Sequence, residues 1–550
     1  MMKLKKISII AISIIILLLL TSSIDKELFQ LNKTFDIFGA VYKQLNEKYV
    51  NEIETEELMK NGIEGMLKGL DPYTEYYEED DTESIDLITK GNYVGFGITI
   101  SHIDKKVTIV NISSYSFALV DGLRIGDILY QIDTIVVEQM TNSELKKYTQ
   151  GEPGSKVKVK VLRGYNSDTL DLVLERKKIK VENVLYSGVI KDSVGYIKLN
   201  RFSKYAYSDF KKALNVLKEK KIKGLIIDLR NNPGGLLREA VKISELFLPK
   251  GSLIVSTKGK NERALAIYKS RVKPIAPDIP MAVLINSGSA SASEIVAGAL
   301  QDNDRALILG SESFGKGLVQ TVIDLPYNSN LKITTAKYYT PSGRCIQKID
   351  YSNKDTKLQE NKDSKDFFTN SGRKLYSEHG ITPDSVILNI KKHKILKELI
   401  NSRAFFKFSN HYTQKIKYLS RDWIIPDSVF YNFITFSQEQ NLFDDISDIV
   451  KLEKIKNDKI HQSKNISELI NKLLDEFNNE TIEILKEEKN DVVEILRTNI
   501  LKRFQYSNDI DYQNLTNDNV ISESINLISS EQYLRILTNE ENIHKVNKKY

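Results

Sequence analysis

Apolar and polar positions along the chain change period several times, and each change marks a different kind of element. From Ile7 to Leu20 the run is almost unbroken apolar, preceded by Lys3, Lys5 and Lys6. It is shorter than the ~20 residues that span a bilayer and fits the core of a signal peptide. Over residues 30–82, Phe35, Phe38, Val41, Leu45 and Tyr49 recur at helical spacing. A second such set, Leu58, Ile63, Met66, Leu67 and Leu70, stops at Asp71-Pro72. Residues 84–178 read as short strands and turns. Gly95-Phe96-Gly97-Ile98 leads into one alternating segment, Val107 to Ile112 is another, and Val157, Val159 and Val161 alternate in a third. Between them, Ala118 to Leu129 is expected to run helix, turn, strand.

Residues 179–390 alternate strand and helix. Val194–Leu199, Leu225–Leu229 and Met281–Ile285 are strand runs, the last two apolar enough to be buried. Helices are expected at Phe210–Leu217 and from Leu236 onward, with Ala240, Ile243 and Phe247 on one face. Residues 393–550 hold almost no Gly or Pro. Ile466, Leu469, Ile470 and Leu473, then Val492, Ile495 and Leu496, keep helical spacing. That predicts an all-α C-terminal extension with no catalytic constellation of its own, its Lys and Glu forming solvated faces.

Composition adds limits. A chain of 550 residues accommodates about three or four domains. Hydrophobic content of 41% and charged content of 28% are ordinary for a folded soluble protein. The net charge of +6 is small for this length and offers no argument for a nucleic-acid partner. Cys345 is the single cysteine, so no internal disulfide forms. Thr21-Ser22-Ser23 supplies small residues for cleavage without a clean A-x-A, and no cysteine follows to carry a lipid. Residues 1–23 fit both a cleaved signal peptide and a retained membrane anchor. Either places the body outside the cytoplasm, in the periplasm or on the outer face of the cytoplasmic membrane. The acidic run Glu78–Asp81 reads as a solvated linker and residues 351–372 as a polar surface excursion.

The candidate chemistry lies between Asn286 and Gln320. An apolar strand ends at Ile285, Asn286-Ser-Gly breaks it, and Ser291-x-x-Glu294 matches a capping box opening a helix with Ile295, Val296, Ala299 and Leu300 on one face. Alone, that pattern marks an N-cap and nothing more. A serine at a helix N-terminus also sits where bare N–H groups and the helix dipole favour a developing oxyanion. None of the six histidines lies in a motif near Ser291. Lys316, between Gly315 and Gly317, is the candidate base, because desolvation neutralises a buried lysine and a neutral amine can take a serine proton. Gly310-x4-Gly315-Lys316 also approaches a phosphate-binding loop. It has Gly317 where Ser or Thr should hold magnesium, and a strand-like Leu318–Leu325 where a helix should follow.

Together, Ser-Ala-Ser291-Ala-Ser-Glu-Ile and Phe-Gly-Lys316-Gly-x-Val-Gln320 resemble the carboxy-terminal processing (tail-specific) serine proteases. The resemblance implies Ser291 as nucleophile, Lys316 as general base and Gln320 as the residue orienting the lysine. Asp228-Leu-Arg-Asn-Asn-Pro-Gly-Gly235 is similar to the family turn that supplies an oxyanion donor, implying the N–H groups of Gly235 and Ala292. Leu70-Asp-Pro-Tyr-Thr, Lys337-Tyr-Tyr-Thr-Pro-Ser-Gly-Arg344 and Gly380-Ile-Thr-Pro-Asp384 also resemble family phrases. Residues 84–178 resemble a bacterial PDZ domain, departing from it at Phe117-Ala-Leu-Val120, where Pro-Ala is commoner. Gly95, Phe96, Gly97 and Ile98 would form its peptide-carboxylate loop.

The implied architecture is multidomain α+β. A β-rich PDZ domain (84–178) follows an N-terminal helical segment (30–82) and precedes an α/β, crotonase/ClpP-like Ser-Lys protease core (179–390). The helical extension occupies 393–550. The implied partners are protein substrates with free, apolar C-terminal tails, with an adaptor protein and an inner-membrane anchor as further candidates. No cofactor or metal is expected. The competing reading is a non-catalytic extracytoplasmic PDZ scaffold for protein tails.

Overall fold

The computed structural model describes residues 28–79, 87, 89–138, 140–164, 168–260, 265–351, 357–358, 366–376, 380–387, 393–420, 423–457, 464–505, 515 and 518–539. The expected signal or anchor at 1–23 and most of the excursion at 351–372 lie outside these residues. The chain divides into two units, residues 1–77 with 322–334 and residues 78–321 with 335–550.

In the first unit, helix α1 (residues 28–48) and α2 (Thr55–Leu67) precede a short strand β1 (Glu75–Tyr77). The Asp71-Pro72 stop does more than end a helix. Asp71 Oδ1 accepts the Tyr73 N–H and the Thr334 hydroxyl at 3.0 Å each, where β1 pairs antiparallel with Asn330–Lys332. Phe35, Phe38, Val41 and Leu45, the helical apolar stripe, are exposed in this unit.

In the second unit, β2 (Asn92–Gly95) pairs with β9 (Lys177–Lys180). Between them β3 (Ile98–Ile103), β4 (Lys106–Ile112), β5 (Ile128–Ile132), β6 (Ile135–Val136), β7 (Lys156–Arg163) and β8 (Asp168–Glu175) form an antiparallel sheet ordered β3-β4-β5-β7-β8, with β6 beside β5. The strict alternation of Val157, Val159 and Val161 puts all three in the core. The expected helix at Ala118 is absent: residues 118–122 are turns, a single helical turn with Asp121 N–H on the Phe117 carbonyl that Gly122, at φ 96°, ends. A helix, α3 (Asn142–Thr149), lies instead between β6 and β7. Its start is a capping box in which Glu144 and Thr141 bond each other's backbone N–H.

The core at residues 179–390 contains β10 (Val184–Val189), β11 (Val194–Leu199), α4 (Ala206–Glu219), β12 (Gly224–Asp228), α5 (Leu237–Glu245), β13 (Leu253–Gly259), β14 (Ala266–Lys269), β15 (Met281–Ile285), α6 (Ala292–Asp302), β16 (Leu307–Gly310), β17 (Leu318–Asp324), β18 (Asn330–Tyr339) and β19 (Ser385–Val386). Its main sheet is ordered β10-β11-β12-β15-β16-β19 and is parallel apart from the β10–β11 pair. Every residue of β12, β15 and β16 is buried, as in a parallel sheet covered on both faces. Leu225, Ile227, Val283 and Ile285 face α4, α5 and α6. Ile226, Ala282, Leu284 and Leu309 point to the other face, because successive residues of a strand alternate.

The expected single extension at 393–550 divides here. Helices α7 (Lys394–Asn401), α8 (Ala404–Thr413), α9 (Asp427–Glu439), α10 (Ser447–Asn457), α11 (Lys464–Glu487) and α12 (Lys489–Leu501) share their own core, in which the Phe405 and Phe433 rings stack at 4.6 Å. Helices α13 (Asn519–Ile528) and α14 (Gln532–Leu537) instead cover the second face of the protease sheet with Val520, Ile521, Ile525, Ile528, Tyr533 and Leu537. A two-sided sheet needs that cover, and helical spacing alone does not say which core a helix joins.

Candidate active site

β15 ends at Ile285, and a turn held by Asn286 leads into α6. Asn286 Oδ1 accepts the N–H groups of Gly288 and Asn231, at 3.0 and 2.9 Å. Ser291 caps α6 with φ 55° and ψ −113°. A serine at positive φ stores on the order of 1–3 kcal/mol and persists only where the surroundings enforce it. They do so through Glu294, whose side chain is fully buried.

Each oxygen of the Glu294 carboxylate serves two donors. Oε2 accepts the backbone N–H of Ser291 at 2.8 Å and of Lys316 at 2.9 Å. Oε1 accepts the Ser313 hydroxyl at 2.6 Å and the Gly315 N–H at 2.8 Å. Burial pushes this carboxyl above its ordinary range, while the hydrogen bonds donated to it pull the other way. The Tyr338 hydroxyl makes a second link, lying 3.1 Å from the Ser291 carbonyl and 2.5 Å from the Lys316 carbonyl. Burial first, then the nearby Glu294 charge, raises the Tyr338 phenol well above its usual value, so it stays a donor. The main chains at Ser291 and Lys316 are thus joined at one carboxylate oxygen and at one hydroxyl. Gly317 N–H donates to Gln347 Oε1 at 2.7 Å, which fixes the far side of the lysine turn.

The turn after β12 closes over Ser291. Asp228 is fully buried and takes a hydrogen bond from Tyr196 Oη at 2.7 Å. Burial pushes the Asp228 carboxyl up, but Arg230, bound to both its oxygens, holds it below the ordinary carboxylate range. The Asn232 carbonyl accepts Ala290 N–H at 3.0 Å and the Ser293 hydroxyl at 2.9 Å, on either side of Ser291. Gly234 adopts φ 98°, where a Cβ would stand 2.6 Å from the Ala290 carbonyl and 2.9 Å from Ser291 Cβ. Only glycine fits so close a backbone approach. Among the described residues neither Gly235 N–H nor Ala292 N–H donates to a backbone carbonyl. Gln320 is the third residue of β17 and half-buried.

The described histidines are engaged elsewhere: His102 with the Met140 carbonyl, His393 as cap of α7, and His411 stacked on Phe436. His379, His461 and His544 lie outside the described residues. Lys316 leads into strand β17, so the phosphate-loop reading fails on the missing helix as well as on Gly317. Among the described residues no group of three or more His, Cys, Asp and Glu could hold a metal.

In the PDZ region, Gly95, Phe96, Gly97 and Ile98 line a cavity of about 430 Å³ beside α3. Phe96 itself is buried in the domain core. Leu145, Lys146 and Thr149 of α3 also line it, as do Asn200 and Arg201 from beyond the domain. Sequence reading missed α3 as part of this groove, although Thr141-x-x-Glu144 signals a helix start. It also missed Tyr338, which lies in the phrase Lys337 to Arg344, and saw Glu294 only as half of a capping box.

Comparison with known proteins shows the family. Family models match for peptidase family S41 at residues 193–355, a PDZ domain at 94–174, the activating protease CtpB N-terminal domain at 21–81 and a probable PDZ-protease C-terminal helical domain at 395–528. The chain is 37% identical over 316 residues to a carboxy-terminal-processing protease of Bartonella bacilliformis, covering 57% of this chain and 72% of that one. The chain belongs to the carboxy-terminal-processing protease family. It is therefore a serine-type peptidase with a PDZ domain, which removes the non-catalytic scaffold as the leading alternative. A probable CtpA-like serine protease of Staphylococcus aureus is 35% identical over 329 residues, 59% of this chain and 65% of that one. A solved structure of a photosystem II D1 C-terminal processing protease is 26% identical, covers 64% of this chain and 86% of that one, and superposes with a TM-score of 0.37.

Proposed function

We propose that this family member is an exported endopeptidase that captures the free C-terminus of a protein in its PDZ groove and cuts the chain at Ser291. The observation that carries the reading is the double link between Ser291 and Lys316, through Glu294 Oε2 and the Tyr338 hydroxyl. It holds a serine at a helix N-terminus next to a lysine turn, as a Ser-Lys mechanism needs.

Ser291 Oγ attacks the scissile carbonyl and Lys316 Nζ takes its proton. Gln320 orients the lysine amine. The oxyanion is held by the N–H groups of Gly235 and Ala292. The C–N bond then breaks as the proton passes from Lys316 to the leaving amine, leaving the acyl group on Ser291. Water adds to that ester, Lys316 accepts and returns a proton, and the new carboxyl product departs. The groove wall of Phe96, Ile98 and Leu145 suits an apolar last residue, with backbone N–H groups of Gly95 to Ile98 for the terminal carboxylate. Export rests on the basic and apolar residues 3–20, with an inner-membrane anchor and an adaptor protein as its further partners.

The test uses one unfolded protein prepared with a free apolar C-terminus and with the same terminus amidated. Faster cleavage of the free form, abolished by Ser291→Ala, supports the reading. Equal cleavage of both forms removes the tail-capture step, and activity retained in Ser291→Ala removes the nucleophile.

A further inference from the structure

The turn that carries Gly235 is gripped from behind by the far end of the chain. Arg230 points away from Ser291 toward the second face of the protease sheet. Its Nε and Nη2 bind the buried Asp228, and its Nη1 lies 2.8 Å from Asp518 Oδ2. Asp518 is the N-cap of α13. Its other oxygen, Oδ1, accepts the N–H groups of Val520 and Ile521 at 2.9 and 3.2 Å. One carboxylate therefore ends a helix and holds an arginine at the same time. The remaining turn residues are tied to the core: Leu229 N–H to the Leu284 carbonyl, Asn231 N–H to Asn286, and Asn232 Nδ2 to the Leu199 carbonyl. Arg230 is the turn's tie to the C-terminal helices.

We infer that Asp518 is a positioning residue of the peptidase, setting the Asp228–Gly235 turn through Arg230, so that docking of α13 is a condition of full activity. Two features support this beyond ordinary packing. The carboxylate–guanidinium–carboxylate chain is mostly shielded, with Arg230 13% and Asp518 20% exposed, so its bonds are charge-assisted and little screened. The helix dipole at the α13 N-terminus adds positive charge beside Asp518, and the two cap hydrogen bonds fix the direction of that carboxylate. Tyr533, on α14, provides the contrast. Its hydroxyl accepts the Met281 N–H at 2.9 Å at the start of β15, at the opposite end of the strand from the Ser291 turn. It anchors the same C-terminal segment without touching the Asp228–Gly235 turn.

This inference rests on the proposed role of the Gly235 turn, and the experiment separates the two. Asp518→Asn keeps an N-cap oxygen but loses the charge that holds Arg230. Tyr533→Phe loosens the same segment elsewhere. Amide hydrogen exchange at residues 229–235 and cleavage kinetics are measured for wild type and both full-length variants. Asp518→Asn should speed exchange of the turn and lower kcat by about tenfold, with KM within about twofold, as for lost transition-state stabilisation. Tyr533→Phe should lower Tm and leave turn exchange and kcat at wild-type values. Asp518→Glu should restore part of kcat. Unchanged turn exchange in Asp518→Asn overturns the inference whether or not the protein cuts. So does a kcat equal to wild type, or an equal kcat loss in Tyr533→Phe. If no cleavage depends on Ser291, the reading of the active site fails, while the exchange result still decides the coupling.

Discussion

Glu294→Gln strikes the carboxylate that ties the Ser291 turn to the Lys316 turn. The carboxylate serves four donors, two on each oxygen. An amide of nearly the same shape keeps one oxygen and presents an NH2 group where the other stood. Whichever way it turns, two buried donors lose their acceptor and face hydrogens instead. Each unsatisfied buried donor costs about 1–3 kcal/mol, so the variant should be destabilised by about 2–6 kcal/mol. That is a large share of the roughly 5–15 kcal/mol of a typical domain. Turning the surviving oxygen toward Ser291 and Lys316 releases Ser313 and Gly315. Turning it away releases the two backbone groups that set the nucleophile and the lysine. The second state misplaces the pair directly and the first loosens the Ser313–Gly315 approach to Lys316, so kcat should fall, by at least about a hundredfold where the backbone groups are released, as expected for loss of oriented groups. Urea denaturation and cleavage of an unfolded protein read the two effects separately. A Glu294→Gln enzyme with wild-type stability and wild-type kcat would refute the clamp.

Other consequences are smaller and independent. Gly234→Ala places a Cβ 2.6 Å from the Ala290 carbonyl at φ 98° and should abolish cleavage while leaving tail binding to the PDZ groove intact, measured by fluorescence anisotropy of a labelled peptide. Tyr338→Phe removes the hydroxyl whose single proton the Ser291 and Lys316 carbonyls share, worth about 1 kcal/mol. Its kcat should drop with KM unchanged in steady-state kinetics. Asp448, bonded to Lys394 and then Lys451, should titrate at about 2 by NMR. Its native value is depressed, so its contribution to stability is present above the ordinary carboxylate value and lost as pH falls toward 2. Replacing Lys394 with Ala should move that titration back up.

The local motifs were legible because each is a short-range statement. Ser291-x-x-Glu294 lies at a helix start, Gly315 and Gly317 flank a lysine in a turn, and Met281–Ile285 is a buried strand. The PDZ strands showed in the alternation of Val157 to Val161 for the same reason. What the chain did not display is long-range. Nothing near residue 294 says that its carboxylate reaches residues 313, 315 and 316, and nothing near Tyr338 says that it closes the same site. The helix expected at Ala118 is a turn, because an apolar cluster before a glycine can equally be a packed turn, while α3 at Asn142 went unread although the Thr141–Glu144 box marks it. Helical spacing gave the C-terminal helices but not their partners. The sheet face of Ile226, Ala282 and Leu284 recruits α13 and α14 away from the rest of the extension.

The central claim is that Ser291 and Lys316 act together on a captured tail. The most direct measurement compares wild type, Ser291→Ala and Lys316→Met for cleavage of an unfolded protein with a free apolar C-terminus, with tail binding and Tm recorded alongside. Wild type should cut, both variants should bind the tail and melt normally, and neither should cut. Cleavage at the wild-type rate by either variant would contradict it.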